Sequence, residues 1–255
     1  YEGGALMKKE WMEGVRSWKV IGIVLVALFF SIMDPVILRF TPYMLKEFSG
    51  MDIEGMIDLS QRNAMLNFHQ DIYQIFTIAY LVIMGNVWLN EVKKKTVIIP
   101  VSKGLKISRI LLAKSLVYSL MVLVVMLAVY LIDYLYAGLI FGFEMALSAA
   151  VVSGILMGIF YCFLTFLVIG LSTFIYNFPG VIFTGLTVVF AGPFLAGLMK
   201  VESYTPFGLL SEASKFEGLF GREIIVLLAL ALVWIAASYG LGVLAAGKKE
   251  IVRYR

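Results

Sequence analysis

The chain has 255 residues, of which 61% are hydrophobic and only 15% charged, and its mean hydropathy is +0.94. Soluble domains carry about 25% charged residues, so a soluble globular fold is excluded, and no run shows the strand alternation of an outer-membrane barrel. The net charge of +4 does not call for nucleic acid, because the basic residues are not interleaved with base-stacking aromatics and suit an anionic membrane leaflet.

Met7 followed by Lys8 and Lys9 looks like a natural start, so residues 1–6 are set aside from the fold. Residues 7–18 read as an interfacial helix. Met7, Trp11, Val15 and Trp18 recur at helical spacing on one face, with charged residues around the rest. Trp11 and Trp18 beside basic residues suit the headgroup boundary. Windows of about 20 apolar residues, the length that crosses a hydrocarbon core of roughly 30 Å, then follow. The spacing predicts six spans: 19–38, 71–89, 107–136, 145–174, 181–199 and 223–246.

The first span ends near Asp34-Pro35, where a helix can kink or unravel. Arg39 to Gln70 is the longest polar region and is net acidic, with short helices predicted at Pro42 to Phe48 and Ser60 to His69. His69, the single histidine, cannot build a histidine-rich metal site. Asn177-Phe178-Pro179-Gly180 marks a tight turn, and Gly192-Pro193 interrupts the fifth span. Lys200 to Arg222 is amphipathic and lies before the sixth span.

The loop at 90–106 stands apart. It holds Lys93, Lys94, Lys95, Lys103 and Lys106, is broken by Pro100 and Gly104, and carries the apolar patch Val97 to Val101 in its middle. A plain connector has no use for such a patch; docking onto a membrane surface or a partner protein does. Six spans put both termini on one side. That side, counted with this loop and Arg109, carries 14 of the 21 basic residues, while 12 of the 17 acids lie on or near the other. Both termini and the loop are therefore expected in the cytoplasm, with the chain in the plasma membrane.

No phosphate-binding G-x-x-x-x-G-K-[ST] loop, zinc-protease H-E-x-x-H or G-x-S-x-G elbow occurs. Charges inside spans are few: Lys114 is placed to snorkel back to the cytoplasmic face, and Asp34, Asp133 and Glu144 fall near outer ends. A carrier driven by protons or sodium calls for an acid near the midplane, so the chain is expected to lack its own energy source. Gly154 and Gly158, four apart, predict close helix packing, either within the bundle or against a second copy. Phe160, Tyr161, Phe163 and Phe166 read as core or lipid-facing rather than as a substrate wall.

These features together resemble the permease subunit of type-2 ATP-binding-cassette exporters: an in-plane amphipathic helix, six spans, a basic loop after the second span and an amphipathic re-entrant stretch before the sixth. The loop is similar to that family's cadence at Glu91, Thr96, Ile98, Ile99, Pro100, Val101, Ser102 and Lys114, and departs from it at Lys95, where a small residue is usual. The resemblance implies an all-α transmembrane fold whose 90–106 loop is a coupling helix seated in a cytoplasmic ATPase. The apolar patch would then make the contact, and lysines such as Lys103 its rim. It also implies two ATPase subunits that hold the ATP and magnesium, no cofactor or catalytic residue on this chain, a second permease copy or paralogue, and a path lined by the second and fifth spans. The cargo is then a peptide, lipid or drug. A secondary carrier, a non-transporting assembly subunit and a membrane-embedded lipid-modifying enzyme are the competing readings.

Overall fold

A computed structural model describes residues 2–49, 57–217 and 221–248. Every regular element among them is helical: α1 (Glu2–Arg16), α2 (Trp18–Ser49), α3 (Gln61–Asp71), α4 (Thr77–Lys93), α5 (Ile98–Ser102), α6 (Ile107–Phe141), α7 (Leu147–Phe174), α8 (Phe178–Leu198), α9 (Gly208–Lys215) and α10 (Arg222–Lys248). Six helices are long and apolar enough to cross a membrane: α2, α3 run together with α4, α6, α7, α8 and α10. The described residues form an all-helical fold whose six long apolar helices fit a multi-pass membrane protein.

The boundaries differ from expectation in several places. α1 begins at Glu2, and Leu6 is buried in the core, so residues 2–6 belong to the fold rather than preceding it. α2 does not end near Asp34-Pro35; it continues through Pro35 and Pro42 to Ser49. The short helix expected at Pro42 to Phe48 is therefore its last turns. Prolines persist in spans where nearby hydroxyls satisfy the freed backbone carbonyls: in α8 the Tyr73 hydroxyl donates at 2.8 Å to Val189 O, the carbonyl that Pro193 leaves without its helical partner. α8 likewise runs unbroken through Pro193. The basic tail at 249–255, and Asp52 and Glu54, lie outside the described residues.

α7 is the most buried span, and α8 and α10 are the most exposed. Lipid tails are as apolar as leucine, so close van der Waals packing holds spans together. α7 supplies it with small residues. A Cβ at Gly158 would lie 2.5 Å from Leu123 Cδ1, and one at Gly154 would lie 3.1 Å from Tyr130 Cβ. Both glycines therefore face α6 of the same chain rather than a second copy. On the opposite flank Gly170 touches Gly242 of α10, and the Thr173 hydroxyl donates to Gly242 O at 3.0 Å. Phe160, Tyr161, Phe163 and Phe166 are all buried and form core.

Ile72–Phe76, between α3 and α4, is wound as a π turn. The carbonyl of Ile72, which the Thr77 amide reaches across the wider turn, is also met from α7: Tyr161 donates to Ile72 O at 2.8 Å, and the Thr77 and Tyr161 hydroxyls lie 2.7 Å apart. These hydroxyls tie the turn to α7.

Two groups of contacts define the ends of the bundle. At one end Gln61 bridges three backbones, donating to Tyr134 O at 3.0 Å and accepting from the amides of Glu144 and Met145. α9 buries Leu209, Leu210 and Ala213 at this same end, held by Ser153 donating to Ala213 O at 2.7 Å. At the other end lie α1, the 90–106 loop and the start of α6, where Tyr239 of α10 donates to Ser108 O at 3.1 Å.

Candidate functional site

α4 ends in a basic turn. Lys95 sits in the left-handed region with φ 58°, and the Thr96 amide turns back onto Glu91 O at 3.0 Å. Left-handed backbone disfavours any side chain with a Cβ, which explains why a small residue would suit this position. Val97 then plugs into the core at 3% exposure, and α5 begins. Pro at the third position of so short a helix loses no bond, since the first amides of a helix have no internal acceptor. Ser102 donates to Ile99 O at 2.9 Å, and Gly104, at φ 88°, lets the chain reverse into α6.

The result is a short helical step that offers Ile98 and Ile99 outward, at 43% and 61% exposure, with Pro100 and Val101 half-buried behind them. Thr96, Ser102 and Lys103 are exposed, as are Lys93, Lys94, Lys95 and Lys106 around the rim. An apolar tip within a basic collar is what the sequence led one to expect of the patch, except that Val97 anchors it from below.

The footing of this step was not legible beforehand. Lys114, seven residues into α6, does not snorkel. It is 1% exposed, and its Nζ lies 2.5 Å from Glu10 Oε2 of α1 and 2.7 Å from Glu91 Oε1 of α4. Glu91 therefore turns into the bundle, 12% exposed, instead of outward with the other loop residues. Glu10 is fully buried, and Lys9, half in solvent, closes on it at 3.4 Å. Two carboxylates and one ammonium thus join the three elements that enter, leave and flank the loop. An isolated charge in such an interior costs several kcal/mol; here each carboxylate has its cation, and Lys114 Nζ also lies 5.9 Å from the Tyr118 ring centre. Carboxylate oxygens of Glu10, Glu13 and Glu91 come within 4.8 Å of one another, but the Lys114 ammonium already occupies the position a metal ion would take between Glu10 and Glu91.

Glu10 is the member of this cluster that the sequence did not single out. Its signal was present: Leu6, Glu10 and Gly14 recur every four residues, and all three are buried. An acid in the middle of a buried stripe needs a partner. Trp11 and Trp18 occupy the exposed side, at 43% and 85%, as anchors at a boundary would. Gly154 and Gly158 lie at the α6–α7 contact and form no part of the loop. No family model matches the chain, and no curated protein matches it.

Proposed function

We propose that this chain is the membrane-spanning permease subunit of a type-2 ATP-binding-cassette exporter. It would move a hydrophobic or amphipathic cargo, such as a peptide, lipid or drug, out of the cytoplasm. One observation carries the reading: α5 presents Ile98 and Ile99 outward from a step that Lys114, Glu10 and Glu91 clamp to three helices. A loose loop would absorb a push. A loop whose entry and exit helices are ion-paired to α1 passes the push on, so a displacement of α5 moves α1, α4 and α6 together.

In this reading α5 is the coupling helix, seated in a cleft of a cytoplasmic ATPase that holds ATP and magnesium. Its lysine collar grips the acidic leaflet or the rim of that cleft. α1 lies in the membrane plane with Trp11 and Trp18 at the headgroups. Two permeases and two ATPase subunits complete the machine in the plasma membrane, with the termini and α5 in the cytoplasm. The chain itself performs no catalysis.

The test uses the exposed pair. Ile98→Asp with Ile99→Asp, together with Pro100→Ala and Val101→Asp as a second variant, abolishes co-purification with the ATPase encoded beside it and leaves membrane insertion intact. Unchanged co-purification in both variants refutes the docking role. A carrier driven by an ion gradient is the second reading, favoured by the buried acid Asp133 on α6. Transport into vesicles under a gradient without ATP selects it.

A further inference from the structure

Asp34 of α2, Asp71 at the end of α3 and Asp133 of α6 come from three helices that pack mutually. Leu38, Ala64 and Ala137 close a small apolar cluster at the same junction, with Ile57, Leu59 and Phe141 against it. Leu38 and Ala137 lie one helical turn beyond Asp34 and Asp133, so the acids sit one layer beneath this apolar cap. Exposure falls along the set: Asp71 is half-buried, Asp34 is 6% exposed and Asp133 is 0%.

Among the described residues no base answers them. The charged neighbour acting on Asp133 is Asp34, and the one acting on Asp34 is Asp71, with which it lies within hydrogen-bonding reach. Neither oxygen of Asp133 meets a donor among the described residues, nor does Asp34 Oδ2. His69 and Tyr130 are engaged with each other at 2.6 Å. Elsewhere in the chain the buried acids Glu10 and Glu91 receive a lysine. Here the fold gathers acids and, among the described residues, supplies no cation, so the three can be ionised together only if a positive charge arrives from outside.

We infer that Asp34, Asp71 and Asp133 form a binding site for a primary ammonium group. Inorganic cations fit less well. Calcium and magnesium need several oxygens converging at about 2.0–2.6 Å, and among the described residues the acids whose oxygens converge within 4.8 Å are Glu10, Glu13 and Glu91. An ammonium is held by one or two carboxylates, its remaining donors pointing elsewhere, so it needs no convergence of all three acids. The graded exposure leads from Asp71 inward, with an apolar layer beside it for the carbon chain of an amphipathic amine. The ammonium is either the headgroup of an aminophospholipid or the amine of a cargo. The site stands whether or not α5 docks an ATPase.

The full chain, purified in a neutral detergent, is titrated with decylamine at neutral pH, with decanol as the uncharged control. Decylamine raises the thermal unfolding midpoint and decanol does not. In Asp133→Asn and in Asp34→Asn the affinity for decylamine falls roughly tenfold or more, the loss of one charge-assisted hydrogen bond. Asp71→Asn, at the half-exposed rim, keeps the test open if a buried variant does not fold. In nanodiscs of mixed phosphatidylethanolamine and phosphatidylcholine, enrichment of the ethanolamine lipid that is lost in Asp133→Asn identifies the headgroup as the source. Decylamine binding without that enrichment identifies a cargo amine. Equal decylamine binding in all three variants overturns the assignment. So does stabilisation by sodium or calcium alone, or a wild type that ignores decylamine while Asp133→Asn is simply more stable.

Discussion

Replacing Lys114 by methionine keeps most of the side chain's volume and removes its charge. Two carboxylates are then stranded, Glu10 with no exposure and Glu91 with 12%. Removing one partner of a buried ion pair costs about 3–5 kcal/mol. Glu91 is close enough to the surface to recover some hydration, and Lys9 remains within 3.4 Å of Glu10, so the lower half of that range applies, about 3–4 kcal/mol. For a chain of this size each kcal/mol moves the unfolding midpoint by about 2–4 °C, giving a fall of roughly 6–16 °C. Trp88, buried one turn before Glu91, reports the transition by its fluorescence in detergent. The companion variant changes Glu10, Glu91 and Lys114 together to methionine. Since a buried ion triad replaced by apolar side chains of similar volume is close to neutral, it restores the midpoint to within about 1 kcal/mol of wild type. It also loosens the loop, seen as faster amide exchange across 93–103 and weaker ATP-driven coupling. A single-variant shift under about 2 °C, or a triple variant no more stable than the single one, refutes the account of Lys114 as the clamp.

Gly158→Leu forces a side chain into Leu123 and separates α6 from α7; overpacking of this kind costs about 1–3 kcal/mol, read as a lower unfolding midpoint and poorer assembly on size-exclusion chromatography. An unchanged midpoint shows that this face of α7 is not the α6 contact. Tyr161→Phe removes the hydroxyl bond to Ile72 O and leaves that carbonyl to the backbone amide and the long side-chain bond of Thr77, and costs about 0.5–1.5 kcal/mol by the same assay. Tyr80→Phe costs less, because its partner Thr165 also donates to Tyr161 O. Lys95→Gly relieves the left-handed backbone at the head of the loop and raises stability by about 1 kcal/mol; a lower midpoint means that this turn is not the native one.

Some of this architecture is written in local composition. Six charge-poor stretches are enough to require six helices, since lipid leaves backbone groups no partner except each other. The unexposed stripe of α1, the tryptophans opposite it and the Pro100 and Gly104 breaks that delimit α5 follow from helical period and backbone geometry, both properties of a few neighbouring residues. Local patterns failed wherever a distant residue changed the outcome. The prolines of α2 and α8 do not end their helices, and in α8 the distant Tyr73 hydroxyl meets the carbonyl that Pro193 leaves free. Lys114 seemed free to reach the surface when seen beside its own neighbours, and is instead held by acids 104 and 23 residues away in sequence. Asp34 and Asp133 read as isolated charges near outer ends and Asp71 as the start of the second span, and only the meeting of α2, α3 and α6 brings them together. The sequence by itself determined which segments must be helices and which faces must hide from water. The tertiary structure decided which buried charges meet, because electrostatic pairing depends on distances in space that lie outside the reach of any sequence window.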